Sequence, residues 1–148
     1  MAAMIPHRPS GAYLNVDLEV RADFDLSALV MALSPPLFNL HTGLADGVYF
    51  ASFEAPACGG SPDEAIGALV RAVASLQRHP RSLWDRAADR VFDIGIEQAR
   101  GMLPFALGLS QETLRAIADV GARVAFTLYP PPKGRSPNKP PPKNTAGR

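Results

Sequence analysis

An α/β chain of the α+β kind, with a mostly antiparallel five-stranded sheet and helices on one face, is what these 148 residues predict. Three observations carry that expectation. Tyr13 to Ala22 alternates apolar and polar residues with a period of two. Ser61-Pro62-Asp63-Glu64 opens a segment whose apolar residues recur at helical spacing. The segments follow one another as β-α-β-β-α-β-α-β. The first six match a ferredoxin-like β-α-β-β-α-β core, to which a C-terminal helix and strand are added.

Each element has a local reason. In the first strand Leu14, Val16, Leu18 and Val20 are expected to point one way, and Asn15, Asp17, Glu19 and Arg21 the other. Asp25 can cap a short helix carrying Leu26, Leu29, Val30 and Leu33, which Pro35 and Pro36 end. Strands follow near 37–42 and 48–55, joined by the turn residues Gly43 to Gly47. Ser61 suits the N-cap of the next helix, Pro62 its first position and Glu64 its third. Ile66, Leu69, Val70, Val73 and Leu76 form its apolar stripe, and His79-Pro80 is expected to stop it.

A helical turn over 82–88 holds Trp84, the only tryptophan. The segment 90–98 alternates again, with Phe92, Ile94 and Ile96 opposite Asp93 and Glu97. Ser110 then caps a helix bearing Leu114, Ile117 and Ala118, with Glu112 in its first turn, where the helix dipole favours an anion. Gly121 is a C-terminal stop, and Arg123 to Tyr129 reads as the last strand.

Charge divides the chain in two. All three lysines, Lys133, Lys139 and Lys143, fall after Pro130; with Arg135 and Arg148 they make five basic residues and no acid in 131–148. The remainder holds ten basic against fourteen acidic residues, a net of −4. The six prolines of 131–148 and its lack of apolar residues other than Ala146 predict a disordered tail with polyproline II bias. The expected organisation is a flexible leader over 1–11, one globular domain over 12–130, and the tail. No apolar stretch suits a membrane span, the start lacks the apolar core of a secretory signal, and Cys58 is the only cysteine. A reducing, cytoplasmic setting is expected.

Most chemistry-bearing residues have plain readings. His7, His41 and His79 share no metal-ligand spacing, so no metal and no cofactor is expected. Cys58 lies near a helix start that would lower a thiol pKa, but nothing marks a base beside it. Ser10, Ser61 and Ser110 lie outside any Gly-x-Ser-x-Gly elbow, and Gly59-Gly60 is too short to cradle phosphate. Asp85, Asp89, Asp93 and Glu97 recur every four residues, yet the element changes from helix to strand between them, and Arg81, Arg86 and Arg90 intersperse them as on a solvated surface. The tail's Pro137-Asn-Lys-Pro140 is an imperfect Pro-x-x-Pro match, and its charges are too sparse to point to nucleic acid.

One constellation stands out. If the first, fourth and last strands turn their polar sides the same way, Asn15, Asp17, Glu19, Asp93 and Glu97 share one open sheet face with Arg123, Thr127 and Tyr129, and Tyr13 and Tyr129 add aromatic surface. Such a face can be merely wet. It can also dock a basic protein, with Asp17, Glu19, Asp93, Glu97, Arg123 and Tyr129 as partner-binding residues.

The block from Leu107 to Tyr129, with Leu-Ser-Gln-Glu-Thr-Leu leading into a strand that ends in Tyr, together with Tyr13-Leu-Asn-Val-Asp-Leu-Glu-Val20, resembles bacterial proteins of the domain of unknown function 4279 type. The resemblance spans 13–130. It implies a small bacterial α/β domain without established catalysis, and some such relatives look like immunity proteins that neutralise a toxin by binding it. It carries no functional residue over.

The leading expectation is therefore a non-enzymatic protein-binding domain with a basic protein partner and no set oligomeric state; the resemblance implies an immunity-type role, neutralising a toxin, as its specific form. A second reading, from another class, is a small hydrolase or ligand-binding domain with a cleft near His41, Trp84 and Asp85. A third is a structural protein whose tail tethers it to anionic surfaces.

Overall fold

Nine elements follow one another along the chain: β1 (Ala12–Ala22), α1 (Ser27–Leu33), β2 (Phe38–Ala45), β3 (Val48–Glu54), α2 (Pro62–Ala74), α3 (Arg78–Arg86), β4 (Asp89–Glu97), α4 (Gln111–Asp119) and β5 (Arg123–Tyr129). The computed structural model describes residues 11–56, 60–98, 104–131 and 133. The leader over 1–10, the Cys58 thiol and nearly all of the tail lie outside them.

The strands pair in the order β2-β3-β1-β4-β5. The first four have the split arrangement of a ferredoxin-like core, in which β3 lies between β1 and β2 and is antiparallel to both. The α+β class holds, but the sheet is mixed where a mostly antiparallel one was expected, because β5 runs parallel to β4. The reason is the connection: a helical crossover through α4 returns the chain to the end from which β4 started.

The helices cover one face. Leu29 and Leu33 of α1, Ile66, Leu69 and Val73 of α2, Leu83 and Trp84 of α3 and Ile117 of α4 close one core over Val16, Leu18, Val20, Phe53, Phe92 and Ile94. Helix starts and stops follow local chemistry. Ser61 Oγ accepts from Glu64 N–H at 3.2 Å, and Ser110 Oγ from Thr113 N–H at 3.1 Å. Ser110 N–H itself donates to Asp63 Oδ1 at 3.0 Å, which joins the starts of α2 and α4 and holds the Asp63 carboxyl below its ordinary range. Gly121, at φ +71°, ends α4: its N–H bonds Ala118 O while Ala122 N–H bonds Ile117 O, closing two of the helix's orphan carbonyls.

Several expectations are corrected. β2 runs on through Gly43 to Ala45, and the turn is the Asp46-Gly47 pair, both at positive φ (51° and 76°), as a tight two-residue hairpin requires. α2 has already ended at Ala74, and α3 begins at Arg78, before His79-Pro80. Pro80 sits in the first turn of α3, where no intrahelical N–H partner is needed. A bulge between Tyr13 and Asn15 breaks the alternation of β1. Tyr13 therefore pairs with Ile96 and packs on the core, while Leu14 is exposed. In α4 Thr113 rather than Leu114 is buried, in line with Ile117 and Val120.

Candidate functional site

No helix lies on the second face of the sheet among the described residues, and register alone specifies what it presents. Residues opposite one another in adjacent strands share a face. Asp17 of β1 lies opposite Glu54 of β3 on one side and Asp93 of β4 on the other, so three carboxylates form a row across three strands. Phe38 of β2 extends that row beyond Glu54, and Ala125 of β5 ends it beyond Asp93. The neighbouring row runs His41, Ser52, Glu19, Val91, Arg123; at the far end Glu97 lies opposite Tyr129.

The anticipated face thus exists as geometry. Asp17, Glu19, Asp93, Glu97, Arg123 and Tyr129 all point to it, with Asn15 and Thr127, whereas Tyr13 does not. Several of these residues are engaged by neighbours. Arg123 forks onto Asp89, with Nε to Oδ1 at 2.9 Å and Nη2 to Oδ2 at 2.8 Å, and holds the Asp89 carboxyl below its ordinary range. Thr127 Oγ1 donates to Asp93 at 2.7 Å. Asn15 Nδ2 donates to Asp17 Oδ1 at 2.9 Å. Gly95 makes room for this: a Cβ there would meet Asn15 Oδ1 at 2.6 Å and the Tyr129 ring at 3.4 Å.

The centre of the row is electrostatically unfavourable. Partial burial, then Glu54, Asp93 and Glu19, push the Asp17 carboxyl up to about 6, with His41 acting in the opposite sense. Among the described residues no arginine or lysine is ion-paired with Asp17, Glu54 or Asp93. Like charges directly opposite on a sheet cost stability, so this row persists at the expense of the fold.

Beside the row, a shallow concavity of about 520 Å³ is lined by Glu19, Arg21, His41, Val48, Phe50 and Ser52, among others. His41 reaches it through a second bulge, between Asn39 and His41, which Asn39 Nδ2 fills by donating to His41 O and Ser52 O at 3.2 and 3.1 Å. Phe50 lies over Gly43, whose absent side chain leaves room for the ring. Exposed Phe38 and Tyr129 stand at opposite margins of the face.

The cleft expected near His41, Trp84 and Asp85 does not assemble. Trp84 is wholly buried in the helix layer, Asp85 pairs with Arg81 at 2.9 Å, and His41 lies on the opposite side of the sheet. Among the described residues no group of three or more His, Cys, Asp or Glu side chains is arranged to hold a metal ion. Nor is any helix there long and apolar enough to cross a membrane. Sequence reasoning missed Glu54, Phe38 and Phe50. The alternation of Phe50, Ser52 and Glu54 along β3 was the signal for two of them; Phe38 needed the register of β2.

No family model matches the chain, and the searches of curated proteins and of solved structures found no similar protein.

Proposed function

We propose that this chain is a non-enzymatic protein-binding domain whose open sheet face receives a cationic segment of a partner protein. The observation that carries the reading is the Glu54–Asp17–Asp93 row, three acids brought together with no arginine or lysine among the described residues ion-paired to them. A guanidinium or ammonium laid across it relieves a repulsion that the free protein bears. Exposed Phe38 and Tyr129 at the margins suit the stems and faces of such side chains. The resemblance to proteins of the domain of unknown function 4279 type makes neutralisation of a basic toxin, in a cytoplasmic setting, the specific form to pursue.

An arginine- and lysine-rich peptide serves as the probe, followed by amide chemical shifts. Salt-sensitive changes centred on Asp17, Glu19, Glu54 and Asp93 are expected, and they should vanish when Asp17, Glu19, Asp93 and Glu97 are changed to Lys. Changes elsewhere, or affinity unaltered by the charge reversal, would defeat the reading.

A second reading, small-molecule binding, has one observation in its favour: the concavity is of ligand size and offers Glu19, Arg21 and His41 as polar groups. A fragment screen with His41→Ala as the control tests it.

A further inference from the structure

We propose that the basic segment Pro131–Arg148 docks across the open face of its own sheet, as a tethered occupant that an external partner must displace. The inference rests on the reading that this face takes cationic ligands.

Charge complementarity is the first argument. The segment carries five basic residues and no acid. The face carries Glu54, Asp17, Asp93, Glu19 and Glu97; of its own arginines, Arg123 is committed to Asp89 and Arg21 pairs with Glu19 at 3.9 Å, which leaves the Glu54–Asp17–Asp93 row to an incoming cation. The place where the segment begins is the second. β5 ends at Tyr129, directly opposite Glu97, so the chain leaves the sheet beside the acidic surface. From there Asp17 lies two strands inward and about four residues back, a diagonal of roughly 16 Å at ~4.8 Å per strand and ~3.3 Å per residue. In an extended polyproline-like path at ~3.1 Å per residue, Arg135 can travel about 19 Å from Tyr129 and Lys139 about 31 Å. Both reach Asp17, and Lys139 can go on to Glu54 at the far end of the row.

The segment's composition says how it would bind. Six prolines lack an N–H, so the segment is ill suited to extend the sheet as a sixth strand, and its side chains must carry the contact. The rival surface on the helix side of β5, where Phe126, Leu128 and Leu114 are exposed, offers these cations no opposing charge. A tethered segment acts at an effective concentration on the order of millimolar, so even weak contacts compete with an outside ligand.

The test compares the full chain with a full-length variant in which Lys133, Arg135, Lys139, Lys143 and Arg148 are all changed to Gln. Amide shifts should differ at Asn15, Asp17, Glu19, Glu54 and Asp93 and coincide in the four helices. Added salt should move the native spectrum toward that of the variant, and the differences should not depend on protein concentration. The arginine- and lysine-rich peptide should bind the variant about three- to tenfold more tightly, because its competitor is gone. Coincident spectra across the face overturn the proposal, as do differences that grow with concentration, which would place the segment on a second copy. Coincident spectra with equal peptide binding to both chains remove the tethered occupant and leave the cationic-ligand reading standing. Coincident spectra with no peptide binding at the face remove both.

Discussion

The indole N–H of Trp84 donates to the carbonyl of Val120 at 2.8 Å, inside the helix layer, and so fastens the end of α3 to the end of α4. Arg90 completes the junction from the first residues of β4. Its Nε donates to Gly121 O at 2.9 Å, and its Nη1 to Trp84 O and Asp85 O at 2.8 and 2.7 Å. Carbonyls left over at two helix C-termini are thereby satisfied by two side chains. Trp84→Phe keeps most of the ring but strands the Val120 carbonyl, and is expected to cost about 1–3 kcal/mol. Trp84→Ala adds a cavity and should cost about 3–5 kcal/mol. Urea unfolding measures both; a stability of Trp84→Phe unchanged within error would mean that the hydrogen bond contributes nothing of its own.

Gly121 stands beside that junction in the left-handed region, at φ +71°. A Cβ there meets only the Arg90 guanidinium, at 3.6 Å, which is ordinary contact. The expected penalty of Gly121→Ala is therefore conformational, about 1 kcal/mol. A stability unchanged within error would contradict it.

Asp17 reverses the usual behaviour of a carboxylate. Its folded-state value of about 6 lies above the ordinary 3.8, so between those values the folded chain binds more protons than the unfolded one. Stability on this account falls as pH rises through the window and stays lower above it. Asp17→Asn keeps an oxygen for the Asn15 amide. After discounting for solvent screening it should gain about 1–2 kcal/mol near pH ~8 and little below pH ~4. Unfolding midpoints measured across this range decide the matter; a loss at high pH, or an equal gain at both ends, would show that Asp17 is not under this strain.

Phe92 and Phe126 have equivalent places in two alternating strands and opposite environments. Phe92 of β4 is wholly buried, whereas Phe126 of β5, on the same side of the sheet, is 57% exposed. Phe92→Ala should cost about 3–5 kcal/mol. Phe126→Thr should change stability by less than about 1 kcal/mol. Comparable losses at the two sites would mean that the edge of the helix layer covers β5 in solution.

Period-two alternation, Ser-Pro-Asp-Glu and Ser-Gln-Glu-Thr helix starts, and the glycine after α4 are local properties, and they were enough to place most elements and the split β-α-β-β-α-β order. They also placed Asp17, Glu19, Asp93 and Glu97 on one side, because a side chain's direction in a strand follows from its parity. Parity fails at a bulge, and the two bulges moved Leu14 and His41 onto the open face and Tyr13 off it. Only strand pairing could set Glu54 and Asp93 on either side of Asp17, since opposition across strands far apart in the chain is a long-range fact. The burial of Thr113 in place of Leu114, and the separation of Trp84 from His41 by the thickness of the sheet, were likewise decided by which neighbour each side chain met after packing.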